Sequence, residues 1–274
     1  MKTPPPNEDW VLPALPAARA QRDRRFLVFA GLVLAALAIG FKSELVAPGS
    51  AWWLSAVLVA VSVPATLAYL RAETVPAFPA VEHYVPAVIG AFAVAGLSLV
   101  VHQWWSWALA AAIFGGGFVV AARLDYLRLI SHPKRGHQFI QEGILALALV
   151  GSYVAIVSSP FNLALKLGWI FALSTLAAFR SFRIAGEPMT SRRALLFSLL
   201  VAQVATFFAW AIFAYAGTAP EGVFAAMLLL AWYINRGVIR HTAEETLTRQ
   251  VLMEYGLFAA LLAFIFTLSY RNPG

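Results

Sequence analysis

Nine stretches of this chain are apolar for about the length of a bilayer crossing, and that pattern constrains the fold more than anything else in the sequence. They are Phe26–Phe41, Ala51–Leu70, Tyr84–Val101, Trp104–Ala122, Phe139–Ser158, Phe161–Phe179, Ala194–Gly217, Gly222–Ile239 and Val251–Tyr270. A helix needs about 20 mostly apolar residues to cross about 30 Å of hydrocarbon. Lipid offers no partner to backbone N–H and C=O groups, so each stretch must satisfy them within itself, as a helix does. A strand crosses in about 9–11 residues, which is too short for these windows. A transmembrane barrel would also alternate apolar and polar positions. The pattern predicts an all-α polytopic membrane protein, a bundle of nine transmembrane helices. The first stretch is the shortest and follows a charged segment, as in a signal peptide. That segment is long for the role and many spans follow, so the first span is read as retained. Cleavage would leave eight.

Composition agrees. Of the residues, 61% are hydrophobic and 12% charged, with a mean hydropathy of +0.76. A globular domain carries about 25% charged residues. A soluble domain, a disordered chain and a coiled coil are therefore excluded. The absence of cysteine removes disulfides, thiolate metal sites and Cys nucleophiles together. Residues 1–25 hold Pro4–Pro6, Pro13 and Pro16, which forbid a continuous helix there. They read as a mobile cytoplasmic tail ahead of a single transmembrane domain over 26–274.

The 20 Lys and Arg residues set the orientation. Lys42 and Arg271 fall on one side of the nine-span scheme, and Lys166 lies inside the sixth span. Every other one falls at the N-terminus or in the even-numbered loops. That asymmetry places the N-terminus in the cytoplasm and the C-terminus outside. The net charge of +7 is thus a topology signal. Nucleic-acid binding is not expected, because the basic residues sit at helix ends and not on a soluble face. Arg123, Arg128, Lys134, Arg135, Arg180, Arg183, Arg192 and Arg193 are candidates for contact with anionic lipid head groups, each worth about 1 kcal/mol. Trp52, Trp53, Trp104, Trp105 and Trp107 fall at the outer interface and predict an aromatic belt.

Local signals mark helix ends. Pro133 and Gly136 stop the fourth helix, and Gly186-Glu187-Pro188 stops the sixth. Ser191 is placed to cap the seventh. Thr242-Ala243-Glu244-Glu245 fits a capping box, with Glu245 and Arg249 spaced to pair. The ninth helix is therefore expected to begin near Ala243. Gly115-Gly116-Gly117 reads as a close helix contact, or as local unwinding beside a ligand.

Ionisable and polar groups within spans are functional candidates. Lys166, Gln203, Glu142, Glu254 and Arg236 are assigned to a possible substrate or ion path. Lys166 has a long stem that lets its amine snorkel to the interface. Glu142 and Glu254 each sit near a helix N-terminus, where the macrodipole favours a carboxylate. In a functional reading they line a cytoplasmic vestibule, paired with Arg236 or Arg123. No catalytic set is recognisable. His132 and His137 lack the further ligands a metal site needs. Asp9, Asp23 and Asp125 are the only aspartates and form no cluster for Mg²⁺ against a diphosphate. No cofactor and no metal are expected.

From about residue 140 to the end, the chain resembles a group of uncharacterised bacterial multi-pass membrane proteins. The features that carry this are RHTAEETLTRQVLMEYG at 240–256, the order of the last spans and the turn at Ala219-Pro220. The resemblance covers about half of the chain. It implies a bacterial plasma membrane and transfers no activity or site. Short outer loops and the lack of a catalytic set favour a non-enzymatic scaffold or accessory subunit that binds lipid or another membrane subunit. A small-molecule or ion transporter is the alternative. A lipid-directed enzyme at the cytoplasmic face comes third.

Overall fold

A computed structural model of the chain describes residues 17–44, 51–73, 81–101, 103–130, 135–184, 189–215 and 220–271. These are helical almost throughout. The helices are α1 (Ala17–Glu44), α2 (Ala51–Glu73), α3 (Val85–Val100), α4 (Trp104–Ile130), α5 (Arg135–Ser158), α6 (Leu163–Ile184), α7 (Ser191–Tyr215), α8 (Glu221–Ala243) and α9 (Arg249–Arg271). A single 3₁₀ turn, Val81–His83, leads into α3.

Each apolar window carries a helix. Seven among the described residues, α2 and α4 through α9, are long and apolar enough to cross a membrane. α1, the longest helix at 28 residues, carries an apolar stretch over Arg25–Ile39, and α3, at 16 residues, continues one that begins at Val81. α1 also begins at Ala17, so residues 17–25 of the expected tail are helical. The rest of that tail, residues 1–16, lies outside the described residues.

Two apolar cores are built side by side. The first joins α1 to α4 through Leu34, Leu58, Ala91, Trp107 and Phe114. The second joins α5 to α8 through Leu149, Tyr153, Ile170, Phe182 and Trp232. α3 belongs to both. Its Ala87, Ala91 and Val94 face the first, and its Val85 and Ile89 face the second. Small residues set these contacts, as expected where lipid competes equally for apolar surface. Gly31 of α1 and Gly115 of α4 lie so close that a Cβ on Gly115 would strike the Gly31 carbonyl. The glycine run is therefore a packing device at Gly115, whereas Gly116 has open space around it. On α7 the stripe Ala194, Ser198, Ala202, Ala205 and Ala209 is buried and packs against α6.

α9 stands apart. It packs on α8, where Gly237 leaves room for the Tyr255 ring. Leu252, Met253, Leu257, Leu261 and Phe264 remain exposed.

The junction before α9 corrects the capping-box expectation. α8 runs on through Ala243, and Glu244 pairs with Arg240 at 2.9 Å. Thr246 N–H donates to the His241 carbonyl and Glu245 N–H to that of Thr242. These two bonds close a Schellman end with Glu245 in the left-handed region at φ 55°. α9 then starts at Arg249, with Val251 N–H donating to the Thr248 hydroxyl. The Thr and Glu of the apparent box are used to finish one helix, not to start the next. At the head of α7 the helix begins with Ser191 itself, and Ala194 N–H donates to the Thr190 carbonyl. Thr190 therefore holds the capping position expected of Ser191.

The Trp belt is partly correct. Trp53, Trp104 and Trp105 are exposed, but Trp107 is wholly buried; the side chain of Trp52 lies outside the described residues. Its indole N–H donates to the Ala38 carbonyl at 3.1 Å. Trp107 lies three residues beyond the exposed Trp104, a spacing that does not by itself predict burial; the close packing of α4 on α1 turns it inward.

Candidate functional site

The C-terminal ends of α2, α4, α6 and α8 meet the starts of α3 and α5 at one end of the bundle. Two polar centres form there, one around a sealed carboxylate and one around a partly exposed one.

The first is centred on Asp125 of α4, which is 1% exposed. Arg180 of α6, equally buried, donates to it through both terminal nitrogens at 2.8 and 3.1 Å. Gln141 of α5 donates at 2.7 Å, and His83 Nδ1 lies 3.3 Å away. Arg180 also donates to the Glu82 carbonyl. The Glu82 carboxylate accepts from Arg183 at 3.1 Å. Arg128 donates to the Arg183 carbonyl at 2.7 Å. A buried charge is tolerated only when it is paired and hydrogen-bonded, and this cluster meets that condition.

The second centre is Glu142 with Arg236. The Glu142 carboxylate accepts from Ser181 at 2.7 Å through one oxygen and from Arg236 through the other. Arg236 also donates to the Ser181 hydroxyl. Its guanidinium lies 5.3 Å from the Trp232 ring centre and 5.7 Å from that of Tyr233. Both are within cation–π range. Consecutive residues link the centres. Gln141 and Arg180 reach Asp125, while their neighbours Glu142 and Ser181 reach Arg236.

The second centre opens on a cavity of about 650 Å³. It lies between α5, α8 and α9. Glu142, Arg236, Arg240 and Gln138 form its polar end, and Phe139, Ala146, Val150, Ala226, Leu230 and Ile265 line the rest. A volume in the range of about 300–1,000 Å³ with apolar walls and few polar groups is typical of small-molecule sites. A second cavity of about 130 Å³ between α3, α4 and α5 is apolar apart from backbone.

The structure brings only some candidates together. Glu142 and Arg236 pair, as the vestibule reading allowed. Glu254 is exposed on α9 and is not part of that pair. Lys166 is at the other end of the bundle, where its amine donates to the Val157 carbonyl at 2.7 Å and lies 5.7 Å from the Phe213 ring centre. Gln203 is exposed on the outer surface of α7. These positions do not form one path.

Several cations expected at lipid head groups face inward instead. Arg180 is fully buried against Asp125, and Arg183 is engaged with Glu82 and the Met189 carbonyl. Arg123 is half-buried and donates to the Tyr69 hydroxyl at 3.2 Å. Arg128 is half-buried as well. Arg192 and Arg193 are exposed. Lys134 and the side chain of Arg135 lie outside the described residues. The reason is the acids: Glu82 and Asp125 each claim a guanidinium that a loop count assigns to the surface.

Glu82, His83, Asp125, Gln141 and Ser181 had no assigned role from the sequence. The signal available for Asp125 was its place as a lone acid between Arg123 and Arg128 at the end of an apolar helix. Among the described residues, no group of three or more His, Cys, Asp or Glu is placed to hold a metal ion.

No family model matches this chain, and no curated protein or solved structure matches it. The fold and the site define an all-helical bundle of multi-pass membrane character, with an ion-paired end beside an apolar cavity.

Proposed function

We propose that this chain is a non-enzymatic accessory subunit of the bacterial plasma membrane that binds a lipid-like molecule between α5, α8 and α9. It crosses the membrane nine times, with α1 and the shorter α3 completing the bundle and the N-terminus in the cytoplasm. The observation that carries the reading is the shape of the 650 Å³ cavity. It is apolar along its length and polar at one end, which is the complement of an amphiphile standing at an interface. The polar end coincides with the end of the bundle where the basic residues gather, and that is the side the loop charges assign to the cytoplasm.

Gly143 supplies the test. It lines the cavity, and a Cβ added there meets nothing within 4 Å. Gly143→Phe therefore fills the cavity from α5 without touching the Glu142–Arg236 pair. The measurement is native mass spectrometry of the full chain in a mild detergent. Wild type is expected to retain an amphiphile and Gly143→Phe to lose it, with unchanged helicity and melting. Equal retention by both proteins would refute the site.

A further inference from the structure

We infer that the cavity between α5, α8 and α9 selects an amphiphile with an anionic head, a carboxylate or a phosphate, and that Glu142 occupies the seat of that head when the site is empty. The inference rests on the amphiphile reading above and adds the head-group chemistry. Arg236 is 7% exposed and lines the cavity. Its Nε has no hydrogen-bond partner among the described residues. A buried donor without a partner is costly and asks for an acceptor. Both oxygens of the neighbouring Glu142 are already in use, one by Ser181 and one by Arg236. The unmet capacity is thus that of a donor carrying positive charge. Arg240, one turn further along α8, lines the same end and adds a second guanidinium, whose Nε is already held by Glu244. An oxyanion head satisfies Arg236 and is drawn by the charge of Arg240 beside it, since a guanidinium fork suits a carboxylate or phosphate. Glu142 is the chain's own version of that group. It is 28% exposed, so it can yield its place, whereas Asp125 at the neighbouring centre is sealed.

The head of such a ligand takes the Arg236 guanidinium, and its tail runs past Ala226, Leu230 and Ile265. Glu142 competes with it by like charge. Removing that charge should strengthen binding, and removing the Arg236 charge should abolish the preference for acids.

The test uses the purified full chain in a neutral detergent and four probes: a long-chain fatty acid, the matching monoalkyl phosphate, the matching alcohol and inorganic phosphate. The acid, the phosphate ester or both are expected to bind about tenfold or more tighter than the alcohol, the scale of a charge-assisted hydrogen bond. The stronger of the two arms identifies the head. Inorganic phosphate, lacking a tail, should not bind measurably. Glu142→Gln keeps the shape and should tighten the acidic probes severalfold while leaving the alcohol unchanged. Arg236→Gln should bring the acidic probes down to the level of the alcohol. Because Arg236→Gln could disturb folding, Glu142→Gln carries the decision independently. Equal binding of acid and alcohol by wild type would overturn the head-group inference and leave the amphiphile site standing. So would weaker acid binding by Glu142→Gln. Binding of inorganic phosphate as tight as that of its alkyl ester would also overturn it. Failure of every tailed probe, the alcohol included, would instead remove the underlying site.

Discussion

Replacing Asp125 by leucine removes the acceptor on which Arg180, Gln141 and His83 converge. Arg180 is left 1% exposed with the Glu82 carbonyl as its remaining partner. Breaking a buried pair by deleting one partner costs about 3–5 kcal/mol, because the other charge stays desolvated. Both guanidinium contacts are lost, at 2.8 and 3.1 Å, together with the 2.7 Å bond from Gln141. The upper half of that range is therefore expected. The double variant Asp125→Leu/Arg180→Met removes both charges. It should recover most of the loss, since an apolar pair of similar volume is often neutral against a buried ion pair. Reversible unfolding in mixed micelles with rising sodium dodecyl sulfate measures wild type, Asp125→Leu, Arg180→Met and the double variant. A single-variant loss under about 1 kcal/mol, or a double variant that is simply the sum of its singles, would refute the idea that this pair ties α4 to α6.

The glycine run separates packing from propensity. Gly115→Ala should cost about 1–3 kcal/mol through the clash with Gly31, whereas Gly116→Ala, with open space around it, should gain about 0.5–1 kcal/mol; the same micelle titration reads both. Glu245→Gly should stabilise by about 0.5–1 kcal/mol. It relieves a left-handed residue at φ 55° and gives back part of the gain as glycine entropy. Trp107→Phe leaves the Ala38 carbonyl without its indole donor and should cost about 1–3 kcal/mol. Trp104→Phe, at 66% exposure, should change little, and the difference between the two melting temperatures tests the inward placement of Trp107.

How much of this was readable beforehand depended on the range of the interaction. The all-helical class, the positions of the helices and the alternation of their ends follow from the length of each apolar stretch. Backbone hydrogen bonds in lipid must close within roughly four residues, so such features are local and survive in one dimension. The packing role of Gly115 was legible for the same reason, since small residues announce close contacts. Crossing capacity was less legible. A window average did not separate α3, at 16 residues, from its longer neighbours.

Tertiary structure alone decided which charges matter. Arg180 and Arg193 look alike as basic residues at helix ends flanking the same loop, yet one is sealed against Asp125 and the other is exposed. Asp125 and Arg180 are 55 positions apart, and Glu142 and Arg236 are 94 apart. No local rule relates them. Their pairing depends on which faces of α4, α5, α6 and α8 meet, and that is set by the fit of Val, Ala, Leu and aromatic side chains in two cores joined by α3. The chain carries its helices and their polarity in its own pattern. The cavity and its guanidinium exist only once those helices have been packed.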